Sequence, residues 1–192
     1  MQKLILPKNY LSYSAMTMWL QNKARYIKEY FEGGEKLDSK YLRFGKESAK
    51  TRENREVKPG EFPELELEVI IKGVPILSKI DFYDSNTHTF EEDKTGKCPW
   101  TPVRVQKHEQ LPFYATVLRA KYGKKPERCT LNWFETKEAK EGGLHNEIEF
   151  TGLVKSFDRE FDESECDRME DLILKVAEEI SEAYQQYIKD QI

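Results

Sequence analysis

The 192-residue chain is 38% hydrophobic and 34% charged with a net charge of −4, a balance that fills one ordinary core under a polar surface and predicts a single domain over residues 1–192. No apolar run approaches the roughly 20 residues that a bilayer span requires, and Met1 to Pro7 is too short for a secretory signal, so a cytoplasmic chain without membrane contact is expected. Cys98, Cys129 and Cys166 lie far apart with no CxxC pair, which speaks against a disulfide framework or a zinc or iron–sulfur cage and predicts free thiols.

In chain order, a first amphipathic helix is predicted after Ser14, with Ala15, Met18, Trp19, Tyr26 and Tyr30 near helical spacing and Gly33-Gly34 as its stop. A second helix, from about Ser39 to Arg55, is mostly charged, and Pro59-Gly60 ends that region. Leu65, Leu67, Val69 and Ile71 alternate with Glu64, Glu66, Glu68 and Ile70, the pattern of a strand with one largely polar face. After a turn at Lys72-Gly73 comes a strand from Val74 to Tyr83. Asp84-Ser85-Asn86 is turn chemistry, and Thr89 to Lys94 completes a three-stranded meander. A helix is predicted from about Lys107 to Tyr122, then short strands over Thr130 to Phe134 and Glu147 to Thr151. The last helix starts with a capping box, Asp162 with Glu165, and carries the stripe Met169, Leu172, Val176, Ile180, Tyr184 and Tyr187.

Charge is unevenly divided along these elements. Residues 1–60 hold 13 basic and 7 acidic groups, 61–94 hold 3 and 9, 95–128 hold 8 and 2, and 129–192 hold 7 and 17. A carboxylate-rich stretch is thus flanked by two basic ones. That arrangement suits a metal site between phosphate-contacting surfaces, and it also fits simple alternation of solvated faces.

The chemistry concentrates in the meander. Glu92 and Lys94 are two apart on a strand and share a face, whereas Glu91 and Asp93 point the other way. Pairing with the preceding strand brings Asp81 beside them. Two carboxylates within a few ångströms offer hard oxygen ligands to Mg²⁺ or Mn²⁺, and the ion removes their mutual repulsion. A neighbouring ammonium orients an attacking water and stabilises charge developing on phosphorus, while the metal lowers the water's pKa. The same residues also compose an ordinary hairpin surface of ion pairs.

Ile80-Asp81-Phe82, followed by Glu92-Asp93-Lys94-Thr95-Gly96, resembles motifs II and III of the PD-(D/E)XK nuclease superfamily in its RecB-like branch. Gln110-Leu111-Pro112-Phe113-Tyr114 resembles that branch's Gln-x-x-x-Tyr motif. Leu11-Ser12-Tyr13-Ser14 resembles its N-terminus, and Phe44-Gly45 the start of its motif I helix. The resemblance spans nearly the whole chain. It implies an α/β fold of the restriction-endonuclease-like type, a mixed central sheet flanked by helices in an α-β-β-β-α-β core. It further implies a Mg²⁺- or Mn²⁺-dependent nuclease acting on DNA, of the compact exonuclease kind found in recombination, repair or phage DNA processing. On that pattern Asp81 and Glu92 ligate the metal, Asp93 offers its backbone carbonyl, Lys94 is the catalytic lysine, and Gln110 and Tyr114 support the site from one helix face.

The chain departs from the pattern at Ala49, where relatives place His or Glu. Glu53, one turn further along the helix, is the expected substitute, with Glu47 second. Lys97, Arg104 and Lys107 are expected to hold phosphates by charge, and Trp100 either stacks on a base or packs in the core. His88, His108 and His145 show no ligand spacing and read as surface residues. Two other readings stay open. The first is a nuclease-fold module that binds nucleic acid or a protein partner without catalysis, which the missing motif I ligand favours. The second is a subunit, homo-oligomeric or tied to a recombination protein, that docks through its acidic C-terminal helix.

Overall fold

The computed structural model describes residues 4–35, 44–45, 56–138 and 148–191. The first helix begins at Tyr13, slightly before the expected start after Ser14. Ser12 caps α1 (Tyr13–Gln21) by accepting from the Ala15 backbone N–H at 3.3 Å. The expected continuous helix is instead broken at Asn22. Its backbone N–H closes α1 on the Met18 carbonyl, and its side-chain oxygen caps α2 (Lys23–Tyr26) through the Arg25 N–H at 3.0 Å. A short amide that bonds its own neighbouring backbone competes with the helix ladder, which is why the break falls there. One π-helical turn, Ile27–Phe31, follows before Gly33 at φ +70°. The predicted charged helix over 39–55 lies outside the described residues, apart from helical Phe44–Gly45.

The meander is present. β1 (Glu61–Ile71) and β2 (Val74–Asp84) pair antiparallel through a two-residue turn in which Lys72 and Gly73 both have positive φ, the geometry that matches strand twist. Asp84 accepts from the Asn86 N–H and the Thr87 hydroxyl, both at 2.8 Å, and turns the chain into β3 (Thr89–Gly96). The expected helix from about Lys107 begins at Gln110, and a short helix that the sequence pattern does not show precedes it. Thr101 caps the short α3 (Pro102–Gln106), and α4 (Gln110–Tyr122) ends at Gly123, φ +78°. The crossover through them sets β4 (Arg128–Glu138) parallel to β3, and β5 (Ile148–Glu160) returns antiparallel to β4. The sheet is mixed, in the order β1-β2-β3-β4-β5. α5 (Glu163–Asp190) opens with the expected Asp162/Glu165 capping box.

Trp19 and Tyr26 of the N-terminal helices, Leu111, Phe113, Val117 and Leu118 of α4, and Met169, Ile173, Val176 and Ile180 of α5 fill one core with the inward side chains of the sheet. None of the described helices is long and apolar enough to cross a membrane.

The sheet is not continuous at its centre. β2 and β3 pair only over Phe82–Asp84 and Thr89–Glu91. Below that point Leu11 takes β3's place beside β2, donating to the Pro75 carbonyl at 2.8 Å and accepting from the Leu77 N–H at 3.1 Å. The fork so formed opens at Asp81 and Glu92.

Candidate active site

The register that pairs Tyr83 with Phe90 sets Asp81 opposite Glu92, one step beyond the last β2–β3 pair. The Asp81 carboxylate replaces a ladder acceptor there. Its Oδ2 takes the Asp93 backbone N–H at 2.7 Å. On β3, Phe90 and Glu92 are buried and Lys94 is half-buried, all on the helix side. The Glu91 and Asp93 side chains lie on the opposite face, where both accept from Asn132 of β4, at 3.2 and 3.0 Å. The alternation inferred from the sequence is therefore the one observed.

Glu92 is 2% exposed. Its Oε1 is ion-paired with Lys94, and its Oε2 is buried with no hydrogen-bond partner. Burial pushes the Glu92 carboxyl up to about 8, against the opposing pull of Lys94, and the charge of Asp81 adds to the rise. Asp81 is also raised, first by burial, with the Asp93 N–H and Lys94 holding it back. Two carboxyls that resist losing their protons, one with an orphaned oxygen, form a site waiting for positive charge. Among the described residues no third His, Cys, Asp or Glu joins them in a metal-holding group. Glu53, Glu47 and Ala49 lie outside the described residues.

From Lys94 a chain of bonds runs onto α4. The Lys94 ammonium donates to Gln110 Oε1 at 2.8 Å, and Gln110 Nε2 donates to the Tyr114 hydroxyl at 2.6 Å. The two α4 residues are four apart and share a helix face, as expected. Tyr114 is 6% exposed and is pushed well above its ordinary value by burial and by Glu92. Its ring meets Phe90 edge-on at 6.0 Å. Asp81, Glu92, Lys94, Gln110 and Tyr114 thus come together around one fork.

The basic segment after β3 has a different internal order from the one its composition suggests. Trp100 is 9% exposed and serves as a platform. The Arg104 guanidinium lies 4.1 Å over its ring, and Arg104 Nη1 donates to the Cys98 and Pro99 carbonyls at 3.3 and 3.4 Å. Arg104 and Lys107 are exposed, while Lys97 pairs with Glu138 at 2.9 Å.

Two histidines are not the surface residues that the sequence suggested. His88 is buried; its Nε2–H donates to the Lys124 carbonyl at 3.0 Å, leaving Nδ1 to accept from the Tyr83 hydroxyl at 2.7 Å. His108 is half-buried beside the site, its ring packed on Trp100 at 4.9 Å between centroids. Neither has a sequence signal of its own, because burial of an isolated polar residue leaves no periodicity. His145 lies outside the described residues.

No family model matches the sequence, and no curated protein matches it. Solved structures do share the fold. An alkaline exonuclease from Laribacter hongkongensis, in complex with dAMP, superposes with a TM-score of 0.53 at 16% identity, over 96% of this chain and 94% of that one. Without dAMP the values are 0.51 and 14%, over 95% and 93%. A phage-related exonuclease from Haemophilus somnus gives 0.52 at 11% identity, over 93% of this chain and 82% of that one. The fold is that of these exonucleases.

Proposed function

We propose that this chain is a divalent-metal-dependent deoxyribonuclease of the PD-(D/E)XK superfamily, in its RecB-like branch. It hydrolyses DNA phosphodiester bonds as an exonuclease in recombination, repair or phage DNA processing. The observation that carries this reading is the fork between β2 and β3, where Asp81 and Glu92 meet beside Lys94 and Glu92 keeps one buried oxygen without a partner. That donor set fits a hard cation: the oxygens are carboxylate, and burial makes each carboxyl give up its proton reluctantly even with Lys94 beside it. Asp81 and Glu92 would hold Mg²⁺ or Mn²⁺, with the Asp93 carbonyl and Glu53 as further donors. When bound, the cation supplies Lewis-acid polarisation of the phosphoryl oxygen and activation of water.

The remaining work falls to the chain's own groups. Lys94 uses two of its three N–H donors on Glu92 and Gln110, so the third is left to aim at a phosphate oxygen, where it stabilises developing negative charge. Gln110 fixes the lysine, and Tyr114 fixes Gln110. Arg104, pre-positioned on Trp100, and exposed Lys107 hold flanking phosphates by charge; Lys97 adds to the same field. The dAMP bound to the Laribacter exonuclease supports a site that admits a deoxynucleotide.

Calorimetric titration with Mn²⁺ tests the site without relying on turnover. Saturable heat is expected from the wild-type protein and none from Asp81→Asn. Equal heat in both would remove Asp81 from the metal set.

A further inference from the structure

Four of the described residues other than glycine have a positive φ. Asn9 lies in the N-terminal bend, Lys72 in the β1–β2 turn and His88 in the turn before β3, where such backbone is ordinary. Glu64, at φ +51°, stands inside β1. Glycine would take this left-handed backbone without steric cost, whereas a glutamate takes it against its own Cβ. The β1–β2 register runs from Glu61↔Asp84 to Ile71↔Val74 and skips one pair, Glu64 and Asp81. Both strands change face at that level. In β2, Val74, Ile76, Ser78 and Ile80 are buried at every second position and Lys79 is exposed, yet the next buried residue is Tyr83, three on from Ile80. In β1, Leu67 and Ile71 are buried while Glu66 and Glu68 are exposed. Beyond Glu64 the inward side passes to Phe62, whose ring stacks on Tyr83 at 6.2 Å, and Tyr83 stacks in turn on Tyr122 of α4 at 5.3 Å. Without this shift, period two would set Asp81 on the exposed face with Lys79, and the sheet would separate it from Glu92 on the helix side. With it, the Asp81 side chain lies edgewise between β2 and β3, where it takes the Asp93 N–H. The Glu64 side chain is itself fastened, ion-paired with its diagonal neighbour Lys79.

Resting on the nuclease reading of this site, we propose that Glu64 is a positioning residue. Its left-handed backbone kinks β1 and β2 together and so turns the Asp81 carboxylate from the exposed face into the fork, beside Glu92. An irregularity of this kind inside a strand re-aims a side chain at the expense of regular pairing, and strained backbone persists where the surrounding structure holds it. The feature that matters is the conformation at position 64, not the charge of its side chain. A residue that restores extended backbone there should swing Asp81 back toward Lys79, and a misplacement on the order of 1 Å costs up to about 10²-fold in rate.

The test compares Glu64→Gly, which admits the left-handed backbone freely, with Glu64→Val, whose branched side chain resists it. In EDTA, the Asp93 amide proton reports its bond to the Asp81 carboxylate by a downfield position in ¹H–¹⁵N spectra. Calorimetry with Mn²⁺ and steady-state hydrolysis of linear DNA complete the readouts. The Val variant should lose the downfield shift together with about tenfold or more in Mn²⁺ affinity and in kcat, the loss typical when the support of a metal ligand is removed. The Gly variant should keep the Asp93 shift, the Mn²⁺ affinity and the kcat of the wild type. Glu64→Ala, which resists the conformation less than Val, carries the same comparison should the Val variant not fold. A folded Val or Ala variant with the Asp93 shift and Mn²⁺ affinity of the wild type overturns the proposal, and so does a Gly variant that loses the Asp93 shift. Failure of the wild-type protein to bind Mn²⁺ or cleave DNA would count against the nuclease reading instead, and the Asp93 resonance would still decide whether Glu64 sets Asp81.

Discussion

Glu92 is the residue on which burial and charge conflict most. In the folded, metal-free chain its carboxyl keeps a proton up to about 8, whereas the ordinary value is 4.5. Between those two pH values the folded state binds a proton that the unfolded chain has released. The contribution is therefore fully present below about pH 4.5 and is lost as the pH rises through 8. Glu92→Gln cannot ionise, so thermal unfolding in EDTA should show it more stable than wild type at pH 9, with the difference vanishing near pH 4. At about 1.4 kcal/mol per pH unit the gap should reach a few kcal/mol, or roughly 2–4 °C of Tm for each. A wild-type protein that is the more stable at pH 9 would mean that Glu92 is ionised at no cost. The proton and the cation also compete for the same oxygens, so Mn²⁺ affinity should rise as the pH passes through 8. Further along the bonded chain, Tyr114→Phe takes away the acceptor of Gln110 Nε2. Steady-state kinetics should record about a tenfold fall in kcat with KM nearly unchanged.

Elements differ in how much of themselves they show in sequence. β3 was legible because period two is strict: once Glu92 and Lys94 are on a strand, they share a face wherever the strand sits. The meander and its turns were legible from Lys72-Gly73 and Asp84-Ser85-Asn86 for the same local reasons. β5 was seen only in part. Apart from Arg159, the strand has no fully buried residue, so it offers no alternation beyond Thr151, yet it runs to Glu160. The break at Asn22 was missed because one capping side chain decides it against a helical pattern that continues across it, and α3, five residues long, is too short to show a periodicity of its own. The fork itself is a property of pairing between distant segments: no reading of β2 alone predicts that Leu11 will replace β3 beside it. Nor does the pattern around His108 predict its burial against Trp100. At the other end of the molecule, the capping box of α5 was legible and makes a checkable claim. Asp162→Ala should cost about 1 kcal/mol, seen as a Tm lower by roughly 2–4 °C. No change would mean that the Glu165 contact with Arg159 anchors the helix by itself.

At the scale of the whole molecule, a net charge of −4 coexists with a proposed DNA substrate because phosphate responds to local field. The segment after β3 supplies that field beside the fork, and Arg104 is its most constrained cation. Fluorescence anisotropy in EDTA should show Arg104→Gln weakening DNA binding alike across sequences and lowering the log–log salt slope by about 1. An unchanged slope would place the phosphate path elsewhere. The fold shared with exonucleases and the fork geometry then meet in one claim, that Lys94 acts on DNA in a cation-dependent site. The most direct measurement is Mg²⁺-dependent release of nucleotides from linear DNA by the wild-type protein and by Lys94→Ala, with circular dichroism to establish that both are folded. Release by the wild type that stops in EDTA and is lost in Lys94→Ala is the predicted result. A folded Lys94→Ala protein that digests DNA at the wild-type rate would contradict the account.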